Sequence, residues 1–297
     1  MKQVECVPNF SAGRDVRVVE AICDCFRRTE TVQLLNSSCD PDHNRMVVTA
    51  IGAPEAMAQA ILQAVGVAIQ SIDLNTHKGT HPRLGAADVI PFIPLQDMHM
   101  EEAVELSKRV AAQLAETYQL PVYLYEYAAT AAHRRNLADV RRGEFENLAQ
   151  KMQDPAWFPD YGPHTPHPTA GASIVGARPF LIAWNVNLKS EDLSLAQAIA
   201  KKIRQSNGGL PFCKALGMKL DAKNMVQVSM NLTNFSVTSM LKVFEAIRSE
   251  ASAANVEIAG SELIGMLPLE AVVQSFAQAL QLDSFSSQRI LETHQRV

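Results

Sequence analysis

Apolar positions recur at two spacings along the first third of this 297-residue chain, and the switches between them predict its elements. Gln3 to Phe10 alternates and is rich in β-formers, whereas Val16, Val19, Ile22 and Phe26 recur at helical spacing behind Ser11-Ala12-Gly13. Two further strands are expected over Thr31 to Leu35 and Arg45 to Ile51, joined by a polar turn from Asn36 to Asn44. Pro54 suits the first turn of a second helix, whose apolar face is Met57, Ile61, Ala64, Val65, Ala68 and Ile72. An irregular segment then leads to an apolar strand from Asp88 to Ile93. The order is β-α-β-β-α-β, the split βαβ arrangement of a ferredoxin-like sheet. A helix from about Met100 to Tyr118 and an apolar segment from Val122 to Tyr125 extend it.

The same grammar returns after a proline-dense stretch, Asp154 to Gly171, that cannot be helix or central strand. Trp157, Phe158 and Tyr161 argue that this stretch is ordered, because flexible linkers are poor in aromatics. Beyond it come a strand from Phe180 to Val186, a helix carrying Leu193, Ala196, Ala200 and Ile203, and strands over Ala215 to Leu220 and Val226 to Leu232. A helix carrying Val237, Met240, Leu241, Phe244 and Ile247, a strand from Val256 to Ala259, and a closing helix from Pro268 to Leu280 complete the set. The expected class is α+β: two ferredoxin-like βαββαβ-type subdomains, their sheets facing each other to cover exposed faces and leaving a ligand crevice or tunnel between.

Composition narrows the function classes. A hydrophobic fraction of 47% is enough for sizeable cores, and a net charge of -4 supplies no global positive field for nucleic acid or an anionic membrane. No signal peptide or membrane-length apolar run is visible, so a soluble, cytoplasmic protein is expected. The five cysteines are scattered without a Cys-x-x-Cys pair and read as reduced thiols.

The densest chemistry lies in His77-Lys78-Gly79-Thr80-His81-Pro82-Arg83-Leu84-Gly85-Ala86-Ala87-Asp88. Loops at strand ends commonly carry catalytic groups, and an imidazole exchanges protons near neutral pH. His81 is the candidate general acid and base, Asp88 the candidate to orient it, and Arg83, Lys78 and Arg45 are candidate carboxylate anchors. His77 and His81, with His164 and His167, suggest a zinc site only on a helix. Gly79 and Pro82 disfavour helix there, so no metal is expected. Neither Gly208-Gly209 nor any other stretch matches a phosphate-binding glycine loop.

Several of these segments together resemble the glutamate formimidoyltransferase family: Val4 to Ser11, Asp42-His43-Asn44-Arg45, His81 to Pro94, Pro121 to Tyr125 and Gly176 to Asn185. The resemblance runs from the start to about Pro268. It implies two subdomains, 1–178 and 179–297, whose sheets face each other across a folate-binding tunnel, and a homodimer. It also implies transfer of the formimidoyl group from N-formimidoyl-L-glutamate to tetrahydrofolate in histidine breakdown. The family's catalytic histidine falls on His81. Its folate-binding segment falls on Gly162, Pro163, His164, Thr165, Pro166, His167, Pro168, Thr169, Ala170 and Gly171. Where family members carry aspartates before the Asn-Arg pair, this chain has Asn36 and Ser38, and the chain is expected to lack the cyclodeaminase domain of the vertebrate enzymes. Rival readings are a folate-binding protein without transferase activity, and a different one-carbon reaction such as one on 5-formyltetrahydrofolate.

Overall fold

The computed structural model describes residues 2–41, 43–220 and 223–294, so Asp42 of the polar turn lies outside the described residues. The chain divides into two compact units, 1–179 and 180–297.

In the first unit the elements are β1 (Val4–Cys6), β2 (Asn9–Phe10), α1 (Val16–Arg27), β3 (Val32–Asp40), β4 (Arg45–Gly52), α2 (Pro54–Ser71) and β5 (Ala87–Pro94). They are followed by α3 (Met100–Tyr118), β6 (Val122–Glu126), α4 (Leu137–Arg141), α5 (Leu148–Lys151) and β7 (Ser173–Ala177). The expected first strand is interrupted. β1 and β2 both pair with β4 and β5, and between them Pro8, which has no N–H to give, accepts a hydrogen bond from Val48 N–H at 3.0 Å. One seven-stranded sheet results, in the order β3, β4, β1/β2, β5, β7, β6. Neighbours are antiparallel as far as β5, after which β7 and β6 run parallel to it.

Both faces of the β5 end are covered, which explains why Ala87 to Ile93 is buried throughout. Ile90, Phe92, Val122, Leu124, Val175 and Ala177 enter the core shared with α1, α2 and α3. The alternate positions Val89, Tyr123, Tyr125 and Ile174 pack instead with Val140 of α4 and Leu148 of α5.

Three expectations change here. The polar turn is shorter than Asn36 to Asn44, because β3 continues to Asp40. Asn36 and Ser38 are strand residues opposite Thr49 and Val47, beyond an irregularity at Leu34. Polar side chains suit that position, since β3 pairs only with β4 among the described residues and its backbone is satisfied by the ladder. The proline-dense stretch is irregular apart from a turn of 3₁₀ helix at Pro155–Trp157, but it is followed by β7, which the pattern did not predict. Helices α4 and α5 were not predicted either.

The second unit contains β8 (Ile182–Leu188), α6 (Leu193–Ile203), β9 (Cys213–Leu220), β10 (Met225–Leu232), α7 (Met240–Ala253), β11 (Ile258–Ile264) and α8 (Leu269–Leu280). Its sheet is antiparallel in the order β11, β8, β10, β9. The first unit shows the same order in β5, β1/β2, β4, β3. Ile182, Trp184, Val186 and Leu188 alternate into a core with Val226, Val228, Met230 and the buried faces of α6 and α7. The α7 helix starts later than its apolar spacing suggested: the Ser239 hydroxyl caps Lys242 N–H, which leaves Val237 outside the helix and exposed. No helix of the described residues is long and apolar enough to cross a membrane.

Candidate functional site

A small pocket in the first unit gathers residues from four places in the sequence: Phe10 and Ser11 at the end of β2, His43, Asn44 and Arg45 at the start of β4, His77, His81 and Arg83 from the loop, and Asp88 on β5. The loop that carries His81 is docked onto the turn before β4. Asn44 Nδ2 donates to the Lys78 carbonyl at 3.1 Å, and His77 Nε2 lies 3.0 Å from the Asn44 carbonyl oxygen. Gly79 makes this approach feasible, because a Cβ there would sit 2.1 Å from the His43 carbonyl oxygen.

His81 is held at one nitrogen. Its Nδ1 lies 2.7 Å from the Pro82 carbonyl oxygen, and a carbonyl only accepts, so Nδ1 carries the hydrogen and Nε2 the free electron pair. Asp88, the expected orienter, has other partners: Oδ1 accepts from Leu84 N–H at 2.7 Å and Oδ2 from Arg141 Nη2 at 2.5 Å. The orienting group is therefore the neighbouring backbone carbonyl. Burial, reinforced by the positive charges of Arg45 and Arg141, pushes the His81 pKa down to about 3. At neutral pH the ring is the uncharged base.

His77 is tied at both ring nitrogens. Nε2–H faces the Asn44 carbonyl, Nδ1 accepts from Arg83 Nε at 3.2 Å, and burial lowers its pKa. It serves the architecture of the loop.

The expected carboxylate anchors separate into three situations. Arg83 is buried and already held, with its guanidinium on Glu146 at 2.7 Å and Glu144 at 3.3 Å. Lys78 is exposed and does not line the pocket; its contribution is its carbonyl. Arg45 lines the pocket, and its Nε is buried without a hydrogen-bond partner among the described residues. Burial first, and then the like charge of Arg141, bring its pKa down to about 10. Arg141 itself is a participant that the sequence did not disclose. It lies on α4, far along the chain from the loop, and no local motif marks it.

The Gly162 to Gly171 stretch is anchored beside the same loop at its end. Leu74 N–H donates to the Thr169 carbonyl at 2.8 Å, Ala86 N–H to the Ala170 carbonyl at 3.0 Å, and Asn75 Nδ2 to the Pro168 carbonyl at 3.0 Å. Gly171, at φ +68°, packs so closely that a Cβ would lie 2.2 Å from the Leu84 carbonyl oxygen. His167 Nδ1 accepts from Ala170 N–H at 3.1 Å, so its hydrogen is on Nε2. Pro166, His167 and Pro168 line a second pocket of about 420 Å³ together with Leu74, Asn75, Phe145, Glu146 and Ala149. Gly162, Pro163, His164 and Thr165 fall outside that lining, and His164 stacks on Phe158 at 4.1 Å between ring centroids. The Arg83–Glu146 ion pair joins the two pockets, since each contributes one partner. Among the described residues no group of three or more His, Cys, Asp or Glu side chains is placed to hold a metal ion.

Comparison with known proteins covers nearly the whole chain. The profile of the formiminotransferase domain, N-terminal subdomain, matches residues 3–178, and that of the formiminotransferase domain matches residues 183–296. The chain is 42% identical over 294 residues to the glutamate formimidoyltransferase of Streptococcus pyogenes serotype M1, covering 99% of this chain and 98% of that protein. It is 43% identical over 294 residues to the glutamate formimidoyltransferase of Thermoplasma acidophilum, covering 98% and 97% respectively. With the formimidoyltransferase-cyclodeaminase of Mus musculus it shares 42% identity over 280 residues, 92% of this chain and 52% of that longer protein.

Proposed function

The chain belongs to the formiminotransferase family, and from that membership we infer that it transfers the formimidoyl group of N-formimidoyl-L-glutamate to tetrahydrofolate, with His81 moving the protons. The observation that carries the role of His81 is its uncharged, half-buried imidazole, with Nδ1–H fixed on the Pro82 carbonyl and the Nε2 electron pair left free, in a pocket it shares with Arg45.

The reaction needs such a group. N5 of tetrahydrofolate attacks the amidine carbon and a tetrahedral adduct forms. The bond to the glutamate nitrogen then breaks and glutamate leaves as an amine. One proton must leave N5 and one must reach the departing nitrogen. An imidazole that accepts the first and delivers the second closes the cycle unchanged, a contribution of about 10²- to 10⁴-fold. Holding two substrates side by side supplies more of the rate.

Arg45 is the anchor for a glutamate carboxylate in this reading, because it lines the pocket with His81 and its buried Nε has no hydrogen-bond partner among the described residues. Arg83 and Lys78 are left out of that role, one already held and the other exposed. The folate is assigned to the Gly162 to Gly171 segment, with the pocket beside Pro166, His167 and Pro168 as its seat. The reading extends to the family's paired ferredoxin-like sheets and tunnel. It is supported by the strand order repeated in the two units and by paired amides on the second sheet, where Gln227 Nε2 donates to Asn187 Oδ1 at 2.8 Å. A cytoplasmic homodimer completes it.

The test is turnover of formimidoylglutamate with tetrahydrofolate by the His81→Ala variant. Activity should fall at least about a hundredfold while tetrahydrofolate binding stays within a fewfold of the parent. A variant that still turns over at a substantial rate removes His81 from the mechanism.

A further inference from the structure

Arg141 carries a feature that the ion pair with Asp88 does not use up. Asp88 Oδ2 engages Nη2 at 2.5 Å, yet the Nε of Arg141 is buried without a hydrogen-bond partner among the described residues. Arg45 is in the same condition at its own Nε. Two guanidinium groups from different elements, α4 and β4, thus stand near one pocket, each with a buried donor unmet. Asp88, which lines that pocket, is the geometric link that ties Arg141 to it, and in charge terms both cations act on His81 while Arg141 disfavours, and Asp88 and Asp40 favour, the charge on Arg45. Burying like charges together costs free energy unless an anion offsets them, and an orphaned donor adds to that cost. A planar carboxylate supplies the matching acceptors, and a guanidinium fork is shaped to take them.

We propose that Arg141 is the second cation of a carboxylate seat formed with Arg45, and that it selects the amino-acid dicarboxylate donor over neutral amidines. This rests on the transferase reading above and assigns the donor's recognition within it. The strap that presents Arg141 is itself built for position. Lys151 of α5 donates to the carbonyls of Val140 at 2.6 Å, Asp139 at 3.1 Å and Arg142 at 3.2 Å, holding the end of α4 where Arg141 leaves it. Asp88 fixes the other end of the side chain from β5. Glu144 and Glu146, the nearby carboxylates on the same strap, are engaged by Arg83.

The experiment compares Arg141→Gln, Arg141→Lys and His81→Ala as full-length proteins, with formimidoylglutamate and tetrahydrofolate varied separately and glutamate as product inhibitor. Gln keeps an N–H donor for Asp88 and removes the charge. It should raise KM for formimidoylglutamate and Ki for glutamate at least tenfold, with kcat changed less than threefold and KM for tetrahydrofolate unchanged. A purely structural role would disturb both substrates alike. Lys, which keeps the charge but not the fork, should recover part of the loss in donor KM and remains informative if the Gln variant folds poorly. Arg141→Gln with donor KM and glutamate Ki within twofold of the parent overturns the proposal, as does Arg141→Lys with wild-type constants. If His81→Ala keeps its turnover, the reading beneath fails instead, and the two failures are told apart.

Discussion

His81 is uncharged across the neutral range because the pocket around it penalises an imidazolium by burial and by the fields of Arg45 and Arg141. That has a consequence for stability. Between about pH 6.5, the ordinary imidazole value, and about pH 3, an unfolded chain takes up a proton at this position that the folded chain refuses. Stability from this group is therefore complete above the ordinary value and is lost as pH falls through that window. Chemical denaturation of the parent and of His81→Gln at intervals from pH 7 to pH 4 should show a steeper loss for the parent. Parallel curves would mean that the ring is not desolvated. That His81 shares a pocket with other chemistry-bearing groups was partly legible in its sequence neighbours, of which His77, Arg83 and Asp88 line that pocket with it. Its orienter was not, because the choice between Asp88 and the Pro82 carbonyl depends on what else competes for Asp88, and that competitor, Arg141, comes from another element. The partners of Arg83 were hidden for the same reason, its guanidinium being paired with Glu144 and Glu146 from farther along the chain.

Elements with a clear period and adequate length were readable: α1, α2 and α3 follow their apolar spacing, and β5 its buried run. Those that escaped are short or depend on their neighbours. α4 and α5 span five and four residues, too few for a helical period to register. β7 is a five-residue strand, Ser-Ile-Val-Gly-Ala, whose place is fixed by pairing with β5 and β6 rather than by alternation. β3 carries polar residues because an edge strand tolerates them. The loop bearing His81 is an element in its own right, seated on the turn before β4 through Gly79. Gly79→Ala would thrust a methyl group against backbone, an overpacking cost of about 1–3 kcal/mol. The variant should lose at least tenfold in kcat/KM with only a few degrees lost in Tm, measured by steady-state kinetics and calorimetry. Unchanged kinetics would show that the loop has another way to sit.

At the scale of the molecule, each unit encloses its own core, and the thiols are distributed so as to report on both. Cys6 and Cys23 are buried in the first unit and Cys213 in the second, whereas Cys39 is exposed and Cys25 intermediate. Burial also raises the pKa of Cys213 to about 11 and that of Cys6 well above the ordinary thiol value, so neither offers a thiolate in the native state. In native buffer a thiol reagent should modify Cys39 first and Cys25 more slowly, sparing the other three until denaturant opens the fold. Peptide mapping of the labelled sites checks the order, and early modification of Cys6 or Cys213 would contradict the burial described. The two-unit plan was legible in the repeated element order, because periodicity survives where residue identity does not. The division also separates the two indoles. Trp157 lies under the Lys151 ammonium at 3.8 Å, with the His133 ring against it at 4.6 Å, and Trp184 is enclosed in the second core beside Phe244. The protein thus carries an intrinsic fluorophore in each half, one of them next to the lysine that grips the α4 strap, so its ultraviolet emission can follow either half without any added dye.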